Sequence, residues 1–275
     1  MTPATPWRRV LAEFVGTALL VTAVVGSGVM ATTLSPDDVG LQLLENSVAT
    51  AFALGALILI FGPVSGAHLN PVVSLADWFL GRHTRAATTS ANTAGSGGTG
   101  SDSGTGLTGR ELTGYVAAQV TGAIAGSVLA NLMFALPAVD WSSRQRAAGH
   151  LWLGEVVATA GLVLLVFALA RSGRAPVAPA AVAAYIGAAY WFTSSTSFAN
   201  PAVTVGRAFT DTFAGIAPSS LPGFVLAQLG GLLVGGALLL ALYPGAAHAA
   251  GEVVVAHPAA DHRTDPVRSH EAENA

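Results

Sequence analysis

The stretch "HLNPVVSLADW", residues 68–78, returns in altered form as "ANPAVTVGRAF", residues 199–209. Asparagine is a favoured N-cap, and proline suits the first helical position because its missing N–H would have no partner there. Each phrase therefore starts a helix. Both helices stay apolar for only two to three turns, well short of the roughly 20 residues that cross hydrocarbon. The preceding "FGPVSGAH" and "TSSTSFA" are rich in Gly, Pro, Ser and Thr and read as irregular backbone.

The rest of the chain puts that irregular backbone in a membrane. Of 275 residues, 52% are hydrophobic and only 10% charged, against about 25% charged in an average soluble domain. Apolar runs over 10–34, 41–61, 112–139, 151–170, 177–192 and 221–243 predict six transmembrane helices. The first run is too long for a cleaved signal peptide and is expected to stay as a span. Non-helical backbone at this depth is tolerated only where it is buried in protein or lines a cavity, so the two loops imply a lumen. The chain has no cysteine, which excludes disulfides, thiolate metal sites and a cysteine nucleophile.

Three echoes recur in the same order: "AEFVGT" (12–17) with "GEVVAT" (154–159), the two Asn-Pro phrases, and "AQVTGAIAG" (118–126) with "AQLGGLLVG" (227–235). Each half holds three spans and one half-helix, and an odd number of spans makes the second half enter from the opposite side. The halves form an inverted repeat. The distance from Asn70 to Gln119 exceeds that from Asn200 to Gln228, and the excess falls in "TTSANTAGSGGTGSDSGTG" (88–106), a composition that reads as a flexible linker. The expected organisation is an N-terminal segment over 1–7, a first half-repeat over 8–82 and a cytoplasmic linker over 83–107. The third span follows over 108–139, then the second half-repeat over 150–243 and a disordered cytoplasmic tail over 244–275.

All the basic residues are arginine. With six spans, Arg8, Arg9, Arg82, Arg85, Arg110, Arg171, Arg174, Arg263 and Arg268 lie on the side of the N-terminus, against Arg144 and Arg146 opposite. By the positive-inside rule both termini are cytoplasmic.

Because the repeats are inverted, the two half-helix N-termini can meet near the midplane. Each carries about half an elementary positive charge, with Asn70 and Asn200 as amide donors and loop carbonyls as acceptors. Such a lumen can hydrogen-bond a file of neutral hydroxylated molecules while repelling cations.

The two boxes Asn70-Pro71-Val72 and Asn200-Pro201-Ala202, the paired glutamates and "SGAHLNP" together resemble the major intrinsic protein, or aquaporin, family over about residues 8–243. The resemblance implies an all-α aquaporin-like fold of six transmembrane helices plus two re-entrant half-helices. It also implies a homotetramer with one pore per protomer in the cell membrane. Within the family, "GSGVMATTL" and "NPAVTVGRAFTDTFAGIAP" are more similar to the branch found in bacterial arsenic-resistance operons, which implies passage of neutral arsenite. Water- and glycerol-selective members usually read Asn-Pro-Ala-Arg, with the arginine in the narrowest filter; Val203 stands there instead. Filter partners carried over by spacing are Thr50, Ala188 and Ser197, all small, which predicts a wide constriction open to glycerol-like solutes as well as water. A different register on the fifth span would bring in Tyr190, Trp191 or Phe192.

Asp77 and Arg207 each follow their asparagine by seven residues, about two turns and about 10 Å along the same face. Two readings stand: they flank the pore in opposite vestibules, or they cap and pair locally. Glu13 and Glu155, acids inside spans, read as acceptors for backbone N–H groups of the loops. His68 reads as a loop-bracing or pore-lining residue. No metal, cofactor or nucleic-acid site is expected. The histidines of the tail follow no zinc-ligand spacing, and Ser74 or Thr204 beside His68 makes no catalytic constellation. The competing readings are a plain water channel and, from a different class, an ion-coupled transporter with carboxylates at the midplane.

Overall fold

The computed structural model describes residues 4–81 and 106–244. All but the first residue of the expected tail over 244–275, nearly all of the linker and the first three residues lie outside the described residues. Among the described residues there is no strand, and six helices are long and apolar enough to cross a membrane. They are α1 (Pro6–Leu34), α2 (Val39–Ser65), α4 (Gly109–Met133), α5 (Gly149–Arg171), α6 (Ala178–Phe192, entered by a 3₁₀ turn Ala175–Val177) and α8 (Leu221–Leu242). The half-helices are α3 (Pro71–Gly81) and α7 (Pro201–Gly206), the latter tightening into a 3₁₀ turn Arg207–Phe209.

Two boundaries differ from the sequence reading. The third span, expected to reach 139, ends at Met133. A Schellman closure stops it: Ala135 takes a φ of 56°, its N–H donates to Leu132 O at 3.1 Å, and Leu136 N–H donates to Asn131 O at 2.9 Å. The first irregular loop is also shorter than expected. Helix α2 runs through Pro63 to Ser65, where Gly66 at φ 86° ends it.

The repeat is visible in the packing. Helix α1 lies chiefly on α4, and α5 on α8. Glycine makes both approaches possible: a Cβ at Gly126 would meet Ala18 O at 2.2 Å, and one at Gly235 would meet Ala160 O at 2.5 Å. Small residues at this spacing let membrane helices approach closely where no hydrophobic force draws them together. Helices α2 and α6 join the halves, and α7 lies against α4.

Candidate functional site: a lumen between two half-helices

The loops ahead of α3 and α7 share a left-handed pattern, two consecutive positive-φ residues, Gly66-Ala67 and Thr196-Ser197, and a third two positions on. Ala67 and Leu69 have φ of 47° and 48°, and Ser197 and Ala199 have 50° and 47°. Left-handed conformations at non-glycine residues cost about 1 to 3 kcal/mol each and persist only where the surroundings over-determine them.

Two buried acids provide that constraint. Glu13 accepts from His68 N at 3.0 Å, Leu69 N at 2.7 Å, Ser65 Oγ at 2.6 Å and Gln119 Nε2 at 2.7 Å. Glu155 accepts from Phe198 N at 2.9 Å, Ala199 N at 2.8 Å and Gln228 Nε2 at 2.7 Å. Each glutamine also reaches the hydroxyl in the first turn of its half-helix, Gln119 to Ser74 Oγ at 2.9 Å and Gln228 to Thr204 Oγ1 at 2.8 Å. His68 places Nδ1 3.1 Å from Ser74 Oγ and sits edge-on to Tyr115.

At the centre the two asparagines cross. Asn70 Nδ2 donates to Ala199 O at 2.8 Å, and Asn200 Nδ2 donates to Leu69 O at 2.7 Å. Their side-chain oxygens cap the half-helices, Asn70 Oδ1 accepting from Val72 N and Asn200 Oδ1 from Ala202 N. An amide nitrogen has two hydrogens, so each asparagine keeps a second donor beyond this bond. Both residues border a common cavity.

The wall of that cavity is made of two kinds of group. One is a set of apolar pairs one turn apart: Leu54 and Ile58 on α2, Leu162 and Val166 on α5, Val182 and Ile186 on α6. The other is the loop residues 67–69 and 197–199, with the two asparagines. Thr50, Ser197, Val203 and His68 border it, as does Arg207.

Ala188 does not. It is exposed on the outside of α6, and Tyr190 takes the lumen position, its hydroxyl donating to Thr50 Oγ1 at 3.2 Å. Two residues along a helix turn the side chain by about 200°, so counting back from Asn200 across the bend at 193–199 put the wrong face inward. Of the small-residue filter set, Ala188 is therefore corrected to an aromatic with a polar tip.

Asp77 carried two readings. It is absent from the cavity wall, and its Oδ2 accepts from Leu107 N at 2.7 Å, ahead of α4. The local-pairing reading describes it. Arg207, its pseudo-symmetric counterpart, is buried at the lumen with Nε donating to the Ala214 carbonyl.

The loop 134–148 is fastened over the segment after α7. Ser142 N donates to Ala208 O at 3.0 Å and Ala217 N to Arg144 O at 2.7 Å. Asp211 Oδ1 accepts from Ser143 N at 3.0 Å, and this bond, with the Ser143 hydroxyl, holds the Asp211 carboxyl below its ordinary range.

The chain is 49% identical over 232 residues to the aquaglyceroporin AqpS of Rhizobium meliloti, covering 84% of this chain and 88% of that protein. It belongs to the major intrinsic protein family. The family model described as Major intrinsic protein matches residues 1–91. The glycerol uptake facilitator protein of Pseudomonas aeruginosa is 29% identical over 258 residues, with 81% of this chain and 82% of that one covered. Among solved structures, the aquaglyceroporin from Plasmodium falciparum has the same fold, with a TM-score of 0.56 at 18% identity over 87% of this chain and 96% of that one.

In this member of the family several residues of the site were given no role by sequence reasoning. Gln119 and Gln228 lay inside a detected echo, which was the signal, but their bonds to Glu13 and Glu155 join positions far apart in the chain. Phe198 was hidden in a run of small polar residues. Its ring lies under the guanidinium of Arg207, with Cζ 3.5 Å from the ring centroid.

Proposed function

We propose that the protein is a passive channel for water and small uncharged polyhydroxylated solutes, glycerol foremost. The observation that carries the reading is the mixed wall of the lumen. Its apolar stripes can take the carbon side of a polyol, while loop carbonyls and the second amide hydrogens of Asn70 and Asn200 can take its hydroxyls. Ions match neither kind of group. They would shed water into a lumen whose half-helix N-termini and Arg207 are positive, which opposes cations. Similarity to an aquaglyceroporin and to a glycerol uptake facilitator supports the same reading. Neutral arsenite presents hydroxyls around a compact centre, as a polyol does, and belongs to the proposed solute class.

The reading includes a site at the outer constriction made of Thr50, Tyr190, Ser197 and Val203 around the lumen. Stopped-flow volume changes of proteoliposomes in water and glycerol gradients test it. The wild type should pass both, and Val203→Arg should cut glycerol flux severalfold more than water flux by adding bulk and charge to the lumen. A wild type that passes water alone would overturn the polyol reading in favour of a plain water channel.

Support for placement comes from the arginine distribution, which puts both termini in the cytoplasm of a cell-membrane protein. A homotetramer follows the family resemblance. Reporter fusions at the C-terminus and the mass of the detergent-solubilised particle check these two statements; an outward C-terminus or a monomer would refute the one or the other.

A further inference from the structure

Arg207 is 2% exposed and borders the lumen, yet among the described residues no carboxylate lies within ion-pair distance of it. A buried cation without a counter-ion is costly, and here other groups hold it. Its Nε donates to the Ala214 carbonyl, and the guanidinium lies across the face of Phe198. Phe198 is itself fixed, its N–H on Glu155 Oε1 at 2.9 Å and its ring edge-on to Phe224 at 5.1 Å. From the loop 134–148 Arg146 approaches the same ring, Cζ 5.2 Å from the centroid, with its Nε on Gly215 O at 3.0 Å.

A guanidinium has five N–H donors, and among the described residues Nε is the one bonded to protein. The cavity wall also includes Ser197, whose buried Oγ has no protein partner. A cation fixed by stacking, with donors to spare in a wall that also holds an unpaired hydroxyl, is placed to meet something that passes.

We infer that Arg207 is a specificity-determining residue of the channel proposed above: stacked on Phe198, its guanidinium excludes cations and donates hydrogen bonds to the hydroxyls of permeating solutes. Phe198 is its positioning residue, and Arg146 steadies that ring from its own loop. The charge missing at position 203 is thus supplied from one helical turn further along the chain. The one hydrogen bond the Arg207 side chain makes to the described residues is that to the Ala214 carbonyl.

The test uses the full-length protein in liposomes and reads three quantities: water permeability, the glycerol-to-water permeability ratio, and sodium and proton leak under an imposed potential. Arg207→Gln, which keeps a donor on the side chain, should remain water-permeable. Its cation leak should rise by more than about tenfold, as expected for loss of a unit charge a few ångströms from the path, and its glycerol-to-water ratio should fall. Phe198→Leu should shift both in the same direction by less, and Phe198→Tyr should stay near wild type. Adding Val203→Arg to Arg207→Gln should restore cation exclusion.

A water-permeable Arg207→Gln with wild-type leak and wild-type ratio overturns the inference. If that variant fails to assemble, Phe198→Leu decides: raised leak supports the inference, and unchanged leak refutes it. A wild type passing neither water nor glycerol sinks the channel reading itself, whereas a conducting wild type beside a leak-free Arg207→Gln sinks only the role of Arg207.

Discussion

The two re-entrant segments use one plan for bracing and diverge where they end. In each, a buried glutamate holds two loop N–H groups, a glutamine links that glutamate to a hydroxyl of the half-helix, and an asparagine donates to the opposite loop. Seven residues beyond the asparagine the likeness stops. Asp77 turns to the backbone ahead of α4, while Arg207 stays at the lumen on an aromatic ring. The bracing must be present twice because each loop carries its own strained backbone. Selectivity, in our reading, needs a cation only once, so the second end was free to take another task.

The largest effect expected from this comparison is on folding. Glu13→Ala leaves two loop N–H groups and Gln119 without their acceptor and should cost about 3 kcal/mol or more. Glu155→Ala should cost about 1 kcal/mol less, because Ser65 Oγ adds a fourth bond to Glu13 and no serine bond to Glu155 matches it. Thermal unfolding in detergent measures both. Equal losses would mean that the Ser65 bond adds nothing and the two braces are energetically the same.

An intermediate effect belongs to Asp77. Asp77→Ala should lower stability by about 1 to 3 kcal/mol through the stranded Leu107 N–H, with cation leak and glycerol-to-water ratio unchanged. A shift in selectivity would return Asp77 to the permeation path and break the contrast with Arg207.

The smallest effect lies at the loop 134–148. The Asp211 carboxyl, depressed by its Ser143 bonds, stabilises the fastening between that loop and the segment after α7. That contribution is present above the ordinary aspartate value, about 3.9, and is lost as pH falls through the lower folded value. Asp211 is exposed, so solvent screening keeps the gain small. Hydrogen exchange at Ser143 should quicken in acid in the wild type, and Asp211→Asn should remove that added acid sensitivity. Identical acid profiles would show that the bond contributes nothing.

How much of this was legible follows from how local each signal is. The Asn-Pro boxes and the flanking apolar runs are contiguous patterns, and they led to six spans, two half-helices and an inverted repeat. Thr50 was placed correctly at the lumen because an unbroken helix joins it to the loop, so counting along the chain preserves the face. Ala188 was misplaced because a bend at 193–199 intervenes and a slip of two residues reverses the face of α6. The length of α4 was misjudged because Ala135 carries no mark of a left-handed cap, a position more often filled by glycine. The stack of Arg207 on Phe198 was invisible for another reason: nothing in the chain's local pattern says that a side chain folds back over the loop before its own helix.

The crossing of Asn70 and Asn200 has a consequence for how the protein is made. The partner of Asn70 lies 129 residues downstream, and at about 5 to 20 residues per second a ribosome needs on the order of ten seconds to supply it. During that interval the first loop has only partners from its own half. Glu13, Ser65, Ser74 and Gln119 all precede the second half, so the bracing can close early and hold the first half-helix in place until its counterpart emerges. The order of synthesis thus favours the first brace being the stronger one, matching its additional bond.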